Sequence, residues 1–309
     1  MRGARERRDA QIEAEADHGG HRCGFYRRRA EPVNSLLRRC SCGACLSARL
    51  AFVSPPRGVF YMSPPALVGR TGVVTGASSG IGRALTLCLA ARGMRIVAAA
   101  RSADALRELA REAGGAVHVV ETDVTRQESV DELRERARHA CGRIDVVVNN
   151  AGVGYVEPFV TSPFAHWHET LATNLLGALS VTRAFLPLLR EAGGGLVVNV
   201  GSASASGWPY VALYAASKAA LEAASIAIDR EMRGSGVRVL SVEVGPTAGT
   251  GFGSRSDPAD VAAATRSWTE SGIPWTEVST PDASARKIVD AIEAALVPAG
   301  ARAADDPGT

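Results

Sequence analysis

Tyr214 and Lys218 stand four residues apart in Tyr214-Ala215-Ala216-Ser217-Lys218, within a stretch that reads as helix. Positions i and i+4 share one helix face. An ammonium beside a phenol favours the phenolate and lowers the tyrosine pKa. A tyrosine tuned in this way can exchange a proton with an alcohol or a ketone near neutral pH. Taken alone, Y-x-x-x-K recurs by chance in many helices. Two features set this copy apart. The chain holds only two lysines, Lys218 and Lys287, and Ser202 lies twelve residues upstream of Tyr214 at the end of an apolar strand.

A second group of residues could hold an anion. Thr75-Gly76-Ala77-Ser78-Ser79-Gly80-Ile81-Gly82 stands between an apolar strand and a helix. Glycines there let the backbone turn sharply and approach a pyrophosphate, while the helix N-terminus offers unpaired N–H groups. Glycines also serve ordinary turns, so the strand–turn–helix setting carries the argument. The next strand ends at Ala99-Ala100-Arg101. A carboxylate at this place would accept from an adenosine ribose; Arg101 instead offers a cationic fork suited to a 2′-phosphate, which points to NADP rather than NAD. Asp123-Val124 and Asn149-Asn150-Ala151-Gly152 follow the third and fourth strands, where a doubly wound sheet lines its ligand crevice, although loop capping explains either segment alone.

These residues need a scaffold that brings strand ends together. Apolar runs at 72–75, 95–99, 116–120, 144–148, 196–200 and 237–242 alternate with helical patterns at about 80–92, 103–113, 127–141, 165–191, 213–233 and 281–296. The alternation predicts an α/β fold: a Rossmann-like, doubly wound parallel sheet with helices on both faces. Val146-Val147-Val148 reads as a strand buried on both faces. The segment from about 247 to 275, with Phe252, Trp268, Ile273 and Trp275, reads as a substrate loop.

Composition narrows the classes further. The chain is 46% hydrophobic and 22% charged with a net charge of +3, ordinary for a globular enzyme and giving no overall signal for nucleic acid. No run approaches 18 uninterrupted apolar residues, so no membrane span is expected. Residues 1–61 differ: they hold 12 Arg against 6 Asp or Glu (+6), leaving −3 for the rest. They read as a disordered arm or as a stretch upstream of a true start at Met62, with residues 62–309 forming one domain. Cys40, Cys42 and Cys45, with His18, His21 and Cys23, do not match zinc-ribbon spacing, and no metal site is expected. Cysteine usage fits a reducing cytoplasm.

With these motifs together, residues 66–250 resemble the short-chain dehydrogenase/reductase family. The likeness rests on T-G-A-S-S-G-I-G, N-N-A-G, Asn174-Leu175-Leu176-Gly177, V-N-V-G-S, Y-A-A-S-K and V-G-P-T-A-G-T, in family order. The resemblance implies an NADP(H)-dependent oxidoreductase that moves a hydride between nicotinamide and a carbonyl or alcohol carbon of a small molecule. It implies Tyr214 as proton donor or acceptor, Lys218 as its tuner and ribose anchor, Ser202 on the substrate oxygen, and Asn174 anchoring a relay water. It places Gly76, Ser78, Ser79, Gly80, Ile81 and Gly82 along the pyrophosphate and nearby ribose, with Arg101 on the 2′-phosphate. Asp123 and Val124 would meet adenine; Asn150, Ala151 and Gly152 its ribose; and Val244, Thr247 and Thr250 the nicotinamide. Gly245-Pro246 reverses the family's usual order, the Ser-to-Tyr spacing is one residue short, and the last strand is short or missing. That missing edge favours a homodimer through helices 165–191 and 213–233 over a tetramer. A non-catalytic NADP-binding regulator is the alternative on the same fold, and the intact Asn174, Ser202, Tyr214 and Lys218 argue against it. A nucleic-acid-binding role for the basic arm is a third reading, not favoured.

Overall fold

The structure is a computed structural model that describes residues 67–296. The expectations for the arm at 1–61, including its Cys/His group, lie outside the described residues, as does the tail beyond Leu296. Six strands form one parallel sheet: β1 (Thr71–Thr75), β2 (Arg95–Ala100), β3 (Val117–Glu121), β4 (Val146–Asn149), β5 (Gly195–Val200) and β6 (Val237–Val242). Their order is β3-β2-β1-β4-β5-β6, so the chain reverses its direction of travel between β1 and β4. In such a sheet the strand ends at the switch point splay their following loops apart and open a crevice.

Successive side chains of a strand face opposite sides. Val74, Val146 and Val148 therefore point to one face, and Val73 and Val147 to the other. On the first face Leu85 and Leu89 of α1 (Gly80–Ala91) and Leu106 and Leu109 of α2 (Ala103–Glu112) cover the sheet, with Ile288 and Ile292 of α8 (Pro281–Leu296). On the second, Val130 and Leu133 of α3 (Gln127–Cys141) pack with Val181, Phe185 and Leu189 of α5 (Ala178–Glu191). Two covered faces explain why the central strands are continuous valine runs.

Three expectations need correction. The helix expected over 165–191 is interrupted: α4 (Phe164–Leu171) passes into a π-helical turn, Ala172–Gly177, before α5 begins. The period of the apolar pattern does not register the one extra residue of a π turn. The run Phe164–Glu191 is also long and apolar enough to cross a membrane by length and composition, which an uninterrupted-run criterion missed. Here it supplies Val181, Phe185 and Leu189 to the core, as a core helix of this composition does. Lastly, the substrate loop is not all loop. It contains α7 (Pro258–Glu270), started by Asp257, whose side chain accepts from the Ala259 amide at 2.8 Å, with Pro258 in the first turn. Among the described residues no seventh strand follows α8.

Candidate active site

The crevice is a cleft of about 880 Å³ running from the glycine turn to the substrate loop. At its outer end Gly76 holds φ +65, and a side chain there would place Cβ 2.8 Å from Ala151 Cα. At Gly82 the added Cβ would lie 2.2 Å from the Gly76 carbonyl oxygen and 2.4 Å from Asn150 Nδ2. Only glycine allows the turn to fold this tightly against the β4 loop. Helix α1 that follows has no side-chain cap at Ser79 and no acidic residue in its first turn. Its first N–H groups and positive dipole end therefore remain available to an anion in the cleft. This cradle fits a dinucleotide pyrophosphate.

The remaining sequence-predicted cofactor residues are brought to the same cleft. Ser78, Gly80 and Ile81 line it beside the turn, Arg101 and Asp123-Val124 at its outer side, and Val244, Thr247 and Thr250 further in. Arg101 is exposed there, while Ala100 beside it is buried. Burial would raise the Asp123 carboxyl, but hydrogen bonds from the Thr125 hydroxyl and amide, helped by the Arg101 and Arg126 charges, hold it below its usual range. Its carboxylate is thus engaged in its own turn. Asn150 lines the cleft too, yet its amide donates to the Thr75 and Gly76 carbonyls at 3.0 and 3.3 Å, so the side chain clamps the glycine turn. The reversed Gly245-Pro246 turn is steadied by Ser279, whose amide donates to the Pro246 carbonyl at 2.8 Å and whose carbonyl accepts from Ala248.

Inside the cleft, Ser202 follows β5 and Tyr214 lies in the first turn of α6 (Ala212–Glu231), with a 3-10 turn, Ala203–Ser206, taking up the short spacing. Tyr210 within this connection sits at φ +64, a conformation that L residues rarely adopt; its carbonyl accepts from the Glu157 amide at 2.8 Å. The Ser202 hydroxyl lies 2.9 Å from that of Ser204, and both Ser202 and Tyr214 line the inner part of the cleft. Lys218 is 4% exposed, and its Nζ donates to the Val200 carbonyl at 2.8 Å. It is 5.7 Å from the Tyr214 ring centroid.

That geometry corrects the expected tuning. Burial pushes the Tyr214 phenol up, only partly offset by the Ser202 hydrogen bond, because the ammonium is turned to Val200 rather than to the phenol. Burial also pulls Lys218 itself down to about 8. Asn174 lies in the π turn, fully buried, outside the cleft lining. Its Oδ1 accepts from the Val153 amide at 2.8 Å, and its Nδ2 donates to the Val153 carbonyl at 2.9 Å and the Ser217 hydroxyl at 3.1 Å. Ser217 in turn donates to the Tyr214 carbonyl at 2.7 Å. Both amide hydrogens are spent, so this side chain positions α6 and the β4 loop around Tyr214.

Several contributors escaped the sequence reading. Asn149 donates to Asn199 at 2.8 Å, and Asn199 to the Ser225 hydroxyl at 2.8 Å, forming a buried polar ladder behind the site. Asn199, a lone amide inside a valine strand, was the available signal. Gly154 is another: a Cβ there would lie 2.1 Å from Phe252, whose ring meets that of Tyr214 edge-on at 4.7 Å. Arg255 donates to both Glu169 oxygens, at 3.0 and 3.2 Å, joining the substrate loop to α4. Among the described residues no group of three or more His, Cys, Asp or Glu is placed to hold a metal.

Comparison with known proteins agrees with this arrangement. The family described as short chain dehydrogenase matches residues 70–260. The chain is 31% identical over 183 residues to the NADP-dependent 3-hydroxy acid dehydrogenase of Escherichia coli (strain K12), covering 58% of this chain and 73% of that one. It is 34% identical over 178 residues to the serine 3-dehydrogenase of Rhizobium radiobacter, covering 57% and 71%. Among solved structures, serine dehydrogenase in its closed form with NADP+ superposes with a TM-score of 0.65 at 28% identity, covering 74% of this chain and 90% of that one. A short-chain type dehydrogenase/reductase from Mycobacterium marinum gives 0.66 at 28% identity, covering 76% and 92%. With the fold, the glycine cradle and the Ser–Tyr–Lys cluster in family order, the chain belongs to the short chain dehydrogenase family.

Proposed function

We propose that the chain is an NADP(H)-dependent oxidoreductase that interconverts a carbonyl and an alcohol on a small molecule, with Tyr214 as the proton donor or acceptor. The observation that carries this reading is that Ser202, Tyr214 and Lys218 line one cleft together with the uncapped α1 N-terminus. NADPH bound along this cleft would supply the hydride, with both electrons, for the carbonyl carbon, and Tyr214 would give the oxygen its proton. Ser202, steadied by Ser204, holds that oxygen and stabilises its developing charge. A raised phenol pKa suits reduction, since the proton is in place at neutral pH; oxidation needs the phenolate and gains as pH rises. Lys218, its Nζ held on the Val200 carbonyl, would anchor the nicotinamide ribose. Asn174, bonded to Val153 and Ser217, supports the helix that carries Tyr214 from behind the cleft.

Arg101 is the basis for preferring the phosphorylated cofactor. A charge-assisted contact to the 2′-phosphate contributes about 1.5–3 kcal/mol, or roughly ten- to a hundredfold. The test is kcat/KM with NADPH and NADH for wild type and for Ala100→Asp with Arg101→Ala. Wild type is expected to prefer NADPH and the double variant NADH, since the new carboxylate repels the phosphate and accepts from a free ribose. A wild type that prefers NADH would contradict the assignment.

The same reading extends to assembly and location. Leu176 in the π turn and Ile226 on α6 are large apolar side chains left exposed, which favours a homodimer through these helices. Sedimentation equilibrium should return twice the 32.2 kDa chain mass, and a single-chain mass would count against it. Cys88 and Cys141 are free thiols, in keeping with a reducing cytoplasm.

A further inference from the structure

The substrate end of the cleft has a wall that the family motifs do not specify. Three of the chain's four tryptophans, Trp208, Trp268 and Trp275, line it together with Phe252. Trp208 meets Trp268 edge-on at 5.6 Å, and Trp268 meets Trp275 at 6.3 Å, so a largely buried Trp268 backs the partly exposed Trp208 and Trp275. Two of the indole N–H groups are already used within the protein. Trp268 donates to the Pro209 carbonyl at 2.7 Å, and Trp275 to the Thr269 hydroxyl at 2.9 Å. What Trp268 and Trp275 offer a ligand is therefore ring surface rather than hydrogen bonds. Phe252 extends the wall to the reacting group itself, since its ring rests on Tyr214 in space that only a glycine at 154 leaves open.

Besides Lys218, whose Nζ is held on the Val200 carbonyl, the cation lining this end among the described residues is Arg255, and its charge is balanced within the protein. It donates to both oxygens of Glu169, and its guanidinium lies 4.7 Å from the Tyr155 ring centroid. The Tyr155 hydroxyl donates to the same Glu169 carboxylate. Both contacts come from Nη1, so the Glu169 carboxylate already balances the Arg255 charge, and a substrate carboxylate reaching Nε or Nη2 would meet a neutralised guanidinium beside a like charge. Two relatives are named for a 3-hydroxy acid and for serine. At its substrate end the cleft offers such a group Lys218, held on the Val200 carbonyl, and Arg255, balanced by Glu169.

We propose that the substrate is an uncharged ketone or alcohol whose non-reacting end is an aromatic or similarly flat apolar ring, seated on Phe252 and the tryptophan wall, with the Arg255–Glu169 pair set against carboxylates. This rests on the reading of the site as NADP(H)-dependent. The reaction is unchanged: ketone, NADPH and a proton give alcohol and NADP+.

The test uses three methyl ketones that differ only beyond the reacting carbon: 2-butanone, 4-phenyl-2-butanone and 4-oxopentanoate. Burying a ring of this size is expected to raise kcat/KM for the phenyl compound about tenfold or more over 2-butanone, with 4-oxopentanoate no better than 2-butanone. Phe252→Ala should shrink the phenyl-to-methyl ratio. Glu169→Gln, which loosens Arg255, should raise the ratio of 4-oxopentanoate to 2-butanone severalfold. NADPH binding is followed by its own fluorescence in the same samples. No NADPH bound would bring down the parent reading, whereas NADPH bound with no preference for the ring overturns this one. Tryptophan fluorescence decides the matter even without turnover. Saturable quenching by 4-phenyl-2-butanol, weakened in Phe252→Ala and absent with 4-hydroxypentanoate, supports the proposal. Equal quenching by both alcohols, or 4-oxopentanoate as the preferred ketone, overturns it.

Discussion

Lys218 is held where an ammonium is costly to hold. Burial pulls its pKa from 10.5 to about 8, so at pH 7 the folded state carries a desolvated charge that the unfolded chain solvates freely. Below about pH 8 both states are protonated and the cost is complete. Between about 8 and 10.5 the folded lysine loses its proton while the unfolded one keeps it, so wild-type stability rises with pH through that window. Lys218→Met is therefore expected to raise stability at pH 7 by about 1–2 kcal/mol, after loss of the hydrogen bond to Val200, while turnover collapses. Thermal unfolding at pH 7 and near pH 10 checks this: the gain should shrink at the higher pH, and a variant less stable than wild type at pH 7 would refute it. The sequence made Lys218 conspicuous by rarity. It could not reveal that the amine turns to a strand-end carbonyl, because that depends on how β5 and α6 approach each other.

At the scale of elements, the glycine turn was legible and the π turn was not. A strand, three glycines and a helix announce themselves by period and composition. The reason for each glycine is tertiary, however, and Gly82 shows it best. An alanine there would press Cβ into the Gly76 carbonyl and the Asn150 amide. Gly82→Ala is expected to cost about 1–3 kcal/mol by overpacking and to weaken NADPH binding as the turn opens. Gly245→Ala, where nothing lies within 4 Å of the added carbon, should change stability by less than about 0.5 kcal/mol. Chemical denaturation of both variants is the check, and equal midpoints would contradict the close-approach argument. The π turn around Asn174 and the helix α7 were hidden for different reasons. A single inserted residue leaves the apolar pattern intact, and α7 is a weakly patterned helix whose capping Asp257 and Pro258 follow a run of Gly and Ser that reads as loop.

For the whole molecule, the alternation of strands and helices carried the topology almost unaided, since a right-handed parallel sheet leaves few other orders. We propose a boundary near Met62 on the change in composition there, with the family match beginning at residue 70. A chain started at Met62 is expected to fold and to keep its activity, read by thermal unfolding and NADPH-dependent turnover; loss of folded, active protein would show that residues 1–61 belong to the working unit. The two ends of the cleft can also be tested against each other in one molecule. Tyr214→Phe removes a single hydroxyl at the inner end and leaves the glycine cradle and Arg101 untouched. Ketone reduction and NADPH binding, measured side by side in wild type and in this variant, should show turnover down by about 10²–10⁴-fold with cofactor affinity retained. Turnover near the wild-type value with NADPH still bound would contradict Tyr214 as the group that moves the proton.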